Sequence, residues 1–184
     1  YDTVIYDASS LAWDASRIWI GDFNGDGRTD VLSYYANNWI TFFSNGDGTY
    51  NAVISAVGTG AWDPTRTWIG DFNGDGRTDV LSYYANNWVT FFSNGDGTYN
   101  GVINAVGTGA WDPSHAWAGD FNGDGLTDLV SAYQGRLITF FSNGKGSYAF
   151  FTYDASSLVW DASRVWIGDF NGDGLTDLLS YYGG

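Results

Sequence analysis

Short runs of β-branched and aromatic residues, five to seven long, alternate along this chain with clusters of Gly, Asn, Asp and Ser. Near the start the runs are Thr3–Ala8, Arg17–Phe23, Asp30–Tyr35 and Trp39–Ser44. Residues of this kind fit a pleated, half-buried surface, and the polar clusters supply turns, so each run is predicted to be a strand. No window carries apolar residues at helical spacing for long enough to make a helix. The fold class expected is all-β.

The pattern then repeats with a period of 49 residues, starting at Tyr1, Tyr50, Tyr99 and Tyr148. Register is kept without an insertion, so the chain reads as one repeat domain, 1–184, with copies 1–49, 50–98, 99–147 and 148–184. The last copy lacks the counterparts of Asn38 through Thr49. Within a copy the third and fourth runs are joined by the polar turn Tyr35-Ala36-Asn37-Asn38. The fourth run leads into Ser44-Asn45-Gly46-Asp47-Gly48-Thr49, whose Asn-Gly and Asp-Gly steps favour the positive φ of a hairpin. A four-stranded unit recurring every 40 to 50 residues is the mark of a propeller blade, and the chain holds about 3.75 of them.

Between the second and third runs lies Asp-Phe-Asn-Gly-Asp-Gly-x-Thr-Asp, once per copy, starting at Asp22, Asp71, Asp120 and Asp169. Oxygen-bearing side chains at alternate positions of a tight acidic loop are what a hard cation with six to eight oxygen ligands requires. The ligand sets predicted are Asp22, Asn24, Asp26, the carbonyl of Arg28 and Asp30, then Asp71, Asn73, Asp75, the carbonyl of Arg77 and Asp79. The third and fourth copies offer Asp120, Asn122, Asp124, the carbonyl of Leu126 and Asp128, then Asp169, Asn171, Asp173, the carbonyl of Leu175 and Asp177. The change from Arg to Leu at the seventh position fits a residue that contributes its backbone oxygen alone. Four Ca²⁺ ions per chain are expected.

Two other readings of the loop fit the sequence less well. A helical EF-hand needs a Glu twelve residues in and flanking helices, whereas that place holds Ser33, Ser82, Ser131 and Ser180 between strands. Simple turn chemistry would explain one copy of Asn-Gly-Asp-Gly, but not four copies that keep every ligand. The hairpin turns provide a control: Asn45-Gly46-Asp47-Gly48 becomes Asn143-Gly144-Lys145-Gly146, and a cation site would not exchange a carboxylate for an ammonium.

The loop and its flanking strands resemble the FG-GAP or VCBS repeats of integrin α-chain propellers and many secreted bacterial proteins. The Trp-Asp…Arg-x-Trp and Ser-Asn-Gly-Asp-Gly-Thr-Tyr segments are similar, in pattern more than identity, to the integrin-like propeller lectins of fungi. The resemblance implies a calcium-binding β-propeller, extracellular or at the cell surface, engaged in adhesion or glycan binding.

Composition narrows the function. The net charge is −14, and the four loops hold 12 of the 21 carboxylates. Four calcium ions would leave about −6, so the acidity is mostly local ligand charge. With only seven Lys and Arg, nucleic acid is not an expected partner. Cys is absent, so metal must do any cross-linking. No apolar run approaches a membrane span, and the chain begins at Tyr1 with no signal peptide, as expected of a mature or partial chain. His115, the single histidine, stands where the other copies have Arg17, Arg66 and Arg164, without a repeated set of catalytic partners. Most of the carboxylates belong to the loops. No enzymatic activity is expected.

Ten Trp residues supply more chemistry than a core needs. Trp19, Trp68, Trp117 and Trp166 lie in the second strand and are predicted core. Trp13, Trp62, Trp111 and Trp160 precede Asp14, Asp63, Asp112 and Asp161, and Arg17, Arg66, His115 and Arg164 follow four residues after each Trp. An indole beside Asp and Arg offers a sugar both a stacking face and hydrogen bonds. The alternative is that the Trp packs between blades and the Arg–Asp pair ties neighbouring repeats together, and this is the preferred reading because every repeat must solve the same packing problem. Two functions are therefore expected to compete: a module binding a glycan or cell-surface glycoconjugate, and a structural subunit that self-associates into a ring or filament. The second rests on the fourth copy stopping at Tyr181-Tyr182-Gly183-Gly184, whose open edges would invite strand pairing between chains.

Overall fold

The computed structural model describes residues 13–56, 62–106, 111–158 and 160–181. They form antiparallel sheets and no helix. The first sheet holds β1 (Ile18–Gly21), β2 (Asp30–Tyr35), β3 (Asn38–Ser44) and β4 (Tyr50–Ala56), paired in that order. The second holds β5 (Thr67–Gly70), β6 (Asp79–Tyr84), β7 (Asn87–Ser93) and β8 (Tyr99–Ala105). The third holds β9 (Ala116–Gly119), β10 (Asp128–Tyr133), β11 (Arg136–Ser142) and β12 (Tyr148–Asp154). β13 (Val165–Gly168) and β14 (Asp177–Ser180) make a two-stranded sheet. The first strands β1, β5, β9 and β13 neighbour one another in that order, which is how the inner strands of a propeller line its axis. The molecule is an all-β, propeller-type array of 49-residue units.

β1 is shorter than the pattern-based expectation, and β3 begins one residue earlier, at Asn38. The run Arg17–Phe23 yields only Ile18–Gly21, because Arg17 closes a turn by donating its amide to the Asp14 carbonyl at 3.1 Å, while Asp22 and Phe23 enter the acidic loop. Thr3–Ala8 lies outside the described residues. Its counterparts Tyr50–Ala56, Tyr99–Ala105 and Tyr148–Asp154 are the outer strands of the preceding copies' sheets, so each sheet straddles two sequence copies. The cause is local. The Asn45–Thr49 turn folds β4 back onto β3 and sets Ser44 opposite Tyr50. β2 and β3 are joined by Ala36-Asn37 at φ 48° and 64°, the two successive positive values of a two-residue hairpin turn.

The core lies between the sheets. Phe23, Leu32 and Trp39 of the first unit pack with Trp62, Val80, Val89 and Phe91 of the second. Phe72, Leu81 and Trp88 repeat the arrangement with Trp111, Leu129, Ile138 and Phe140. Trp19 and Trp68 join these cores from their edges, as expected, whereas Trp166 is exposed. A single sheet cannot bury such a face alone, so each unit depends on its neighbour.

Candidate functional site

Two regions carry the candidate chemistry, the acidic loops and the Trp-Asp-x-x-Arg corners. Each loop is wound around its first Asp. One carboxylate oxygen of Asp22 accepts the amides of Gly25 (2.8 Å) and Asp26 (3.1 Å), and the other accepts that of Gly27 (2.7 Å). Gly25 and Gly27 take φ of 77° and 81°, which lets successive amides turn inward. Asn24 accepts the Asp26 amide at 3.0 Å and donates to the Asp26 carboxylate at 3.1 Å. The loops at Asp71 and Asp169 repeat this bonding closely. That at Asp120 keeps the glycine amides at 2.7 and 2.9 Å.

The ninth-position Asp differs from the others. Asp30 is fully buried, and its two oxygens accept the amides of Phe23 (3.1 Å) and Ser44 (2.8 Å), clipping the loop to the end of β3. Asp79 and Asp128 do the same with Phe72 and Ser93, and with Phe121 and Ser142. Burial pushes Asp79 up to about 7 and Asp128 up to about 6, against the lowering effect of those amides. A cation nearby would favour the charged form.

The donors are all oxygen, as a hard cation wants, and Asp26 and Asp75 remain exposed. Among the described residues, however, no three His, Cys, Asp or Glu side chains are gathered so that they could hold a metal by themselves. The set therefore suits calcium in its chemistry. To bind, the loop would have to exchange amide hydrogen bonds for the ion. Arg28 and Arg77 have a role beyond their carbonyls: their guanidinium groups pair with Asp26 and Asp75. Leu126 and Leu175 cannot.

The structure also places residues that the pattern did not single out. Thr78 donates its amide to the carbonyl of Asp22 at 2.7 Å, and its Oγ1 accepts the Asp22 amide at 3.0 Å. Thr127 and Thr176 hold the Asp71 and Asp120 carbonyls in the same way. Each of the first three loops is thus gripped by the eighth residue of the next. Ser93 and Ser142 add hydroxyl bonds to the carbonyls of Phe23 and Phe72, at 2.6 and 2.8 Å. The constancy of this Thr in all four copies was the available signal.

At the corners, the Trp and the Asp-Arg pair part company. Trp62 and Trp111 are only 7% exposed and sit between sheets. Trp62 meets Tyr34 at 4.6 Å and Trp39 at 5.4 Å, and Trp111 meets Tyr83 at 4.7 Å and Trp88 at 4.8 Å. Their faces are therefore given to packing between sheets, the role that the repeated packing problem favours over stacking on a ligand. Trp13 is 38% exposed, edge-on to Phe42. Trp160 is half-buried and makes no ring contact among the described residues.

The polar partners stay at the surface. Asp14, Asp63 and Asp161 lie 3.6 to 3.7 Å from Arg17, Arg66 and Arg164, whose guanidiniums stack over Tyr34, Tyr83 and Tyr181. In the third copy His115 bonds Asp112 at 2.8 Å. Hydrogen bonds from Ser16 and Ser163 hold Asp14 and Asp161 below the usual carboxylate range. Each corner is fixed from below by a serine: Ser82 Oγ accepts the Asp63 amide at 2.9 Å and donates to the Asp63 carbonyl at 3.1 Å. Beside Trp160 a groove of about 240 Å³ is lined by Ala132, Tyr133, Gln134, Gly135, Trp160 and Ala162.

A family model described as the FG-GAP-like repeat matches residues 22–82, 71–131 and 120–180. None of the curated proteins compared with the chain matches it. Among solved structures, an Agrocybe aegerita lectin, described for specific recognition of non-reducing terminal N-acetylglucosamine, is similar with a TM-score of 0.68 at 22% identity. The match covers 86% of this chain and 44% of the lectin. The Photorhabdus luminescens Tc holotoxin pore is similar with a TM-score of 0.71 at 18% identity, over 94% of this chain and 8% of that one. The chain thus spans less than half the length of either, and at these identities the likeness is one of fold.

Proposed function

Because the chain belongs to the FG-GAP-like repeat family, we propose that it is a non-enzymatic, extracellular binding module for carbohydrate whose loops are held by calcium. The observation that carries this reading is the corner repeated along the array, an Asp-Arg pair at the surface against an aromatic ring. Charged and amphipathic groups fixed side by side suit hydroxyl-rich ligands, and weak sites repeated on one frame gain avidity without new contacts. The fold it shares with a lectin supports the reading. Among the described residues the His115 side chain bonds to its own turn, at Asp112 and Ser114, which suits a positioning role.

Calcium would be held by Asp22, Asn24, Asp26 and the Arg28 carbonyl in the first loop and by their counterparts in the others. Asp30, Asp79, Asp128 and Asp177 would lend charge from beneath. When bound, the ion supplies a local cation that relieves repulsion among the loop carboxylates. A glycan array probed with the whole chain, with calcium present, tests the function. Retention on defined glycans is the expected result; a signal no higher than that of an unrelated acidic protein would defeat the reading.

A second reading, self-association as part of a larger assembly, is favoured by one observation. The outer strand β12 exposes Phe150, Phe151 and Tyr153, each more than half accessible. Isolated exposed aromatics are ordinary, but Phe151 and Tyr153 share one face of the strand, and Phe150 adds an exposed ring on the other. Light scattering of the chain and of a Phe150→Ser, Phe151→Ser double variant would separate a sticky edge from a monomer.

A further inference from the structure

The acidic loops of the first three units are nearly identical in sequence, yet the surroundings of their carboxylates differ through one position. The seventh residue is Arg28, Arg77 and then Leu126. In the first loop Arg28 Nη1 donates to Asp26 Oδ2 at 2.9 Å and to the Ser44 carbonyl at 3.3 Å. In the second, Arg77 Nη2 donates to Asp75 Oδ2, and Nε donates to the Ser93 carbonyl at 3.0 Å. Each guanidinium thus bridges the fifth-position Asp and the last residue of β3 or β7. In the third loop Asp124 Oδ2 has only the Asn122 amide as a side-chain partner among the described residues, at 3.0 Å. Leu126 lies instead against Gly74 of the loop before it, as Arg77 lies against Gly25.

A second position changes in step with the first. The hairpin turn that follows β3, β7 or β11 lies beside the seventh residue, for a Cβ built on Gly46, Gly95 or Gly144 would meet Arg28, Arg77 or Leu126 within 4 Å. That turn carries Asp47 and Asp96 where the loop has Arg, and Lys145 where it has Leu. Each of these units therefore has one basic residue at this end, held against the loop in two of them and exposed on the turn in the third.

Resting on the calcium part of the proposed function, we propose that Arg28 and Arg77 are resident cations. They keep the first two loops wound when no ion is bound, whereas the third loop, with Leu126, depends on the ion and takes it up first. Three carboxylates confined to one loop repel one another, and a guanidinium among them relieves this at any ordinary pH because it stays charged. The same contact opposes calcium. An incoming ion must displace the guanidinium from Asp26 or Asp75, and a loop of lower net negative charge holds calcium less tightly. Asp124 carries no such encumbrance. The pairs are exposed and screened, so the difference in affinity is roughly two- to fivefold.

The test is a calcium titration of the full chain by nuclear magnetic resonance, following the amides of Gly27, Gly76 and Gly125. These bond the first Asp of each loop at 2.7, 2.8 and 2.9 Å, so each reports on its own loop. In chelator, Gly125 should exchange with solvent faster than the other two. On adding calcium it should respond at roughly two- to fivefold lower concentration. Arg28→Leu installs the side chain already present at Leu126 and should bring Gly27 to the behaviour of Gly125 while Gly76 keeps its own. The double variant Leu126→Arg, Lys145→Asp rebuilds the arginine arrangement and should move Gly125 the opposite way. Three amides that behave alike, or variants that leave all of them unchanged, overturn the role of the arginines while calcium binding stands. No response of any of the three to calcium overturns both the order of uptake and the calcium reading.

Discussion

A glycine and a threonine one copy apart join neighbouring units. A Cβ built on Gly70 would lie 2.4 Å from Cγ2 of Thr127, the residue that holds the Asp71 carbonyl. Real side chains do not approach so closely, and both partners belong to backbone-bonded segments that cannot retreat. Gly70→Ala should therefore cost about 1–3 kcal/mol, the range for overpacking a close-fitted interior. Gly168→Ala is the control, since its Cβ would meet only Phe170 at an ordinary 3.6 Å and should stay within about 0.5 kcal/mol. Denaturant unfolding of the two variants decides it, and equal costs would refute the role given to Thr127. Arg77 allows a second prediction at this scale. Its guanidinium already serves Asp75 and, through Nε, the Ser93 carbonyl at 3.0 Å. Replacing Arg77 by Leu, as at Leu126, frees the Asp75 carboxylate. Exposed ion pairs contribute little, so calcium affinity of that loop should rise by roughly fivefold or less, measured by calorimetry. A fall in affinity would mean that Arg77 helps the loop to bind.

At the scale of elements, the corner turns and the indoles beneath them have separate tasks. Trp62→Ala should destabilise by about 3–5 kcal/mol, as aromatic truncations in cores do, because the ring touches both adjoining units. Trp13→Ala removes a more exposed ring and should cost distinctly less; similar midpoints for the two in urea would contradict the burial difference. Such elements show why part of the fold was legible from sequence and part was not. Asp30–Tyr35 came out with its observed bounds because an acidic loop and a tight turn delimit it chemically. The role of Tyr50–Ala56 was harder to place, because sequence order puts it at the head of a copy while hydrogen bonding puts it at the edge of the copy before. The Trp-Asp-x-x-Arg spacing was visible too. Whether an indole faces solvent or a neighbouring sheet depends on rings such as Tyr34 and Trp39, which lie far away in sequence and carry no local signature.

For the whole molecule, the loops form a chain of contacts running from one unit to the next, Asp22 to Thr78, Asp71 to Thr127 and Asp120 to Thr176. An array of this kind has a stability close to a sum of units and nearest-neighbour interfaces. Calcium bound at one loop should accordingly steady that unit and the two beside it. An ion present at a hundred times its Kd adds about 2.7 kcal/mol per site, and 1 kcal/mol moves the midpoint of a chain of this length by roughly 2–4 °C. Thermal melting with chelator and then with added calcium should therefore show a clear upward shift, with Asp75→Ala losing part of it. Hydrogen exchange on that variant should rise most in β5, β6 and the strands they face, and least in β13 and β14. A midpoint indifferent to calcium would mean that the amide hydrogen bonds around Asp22 and its counterparts are the finished structure of these loops, and that the ion has no part in holding the array together.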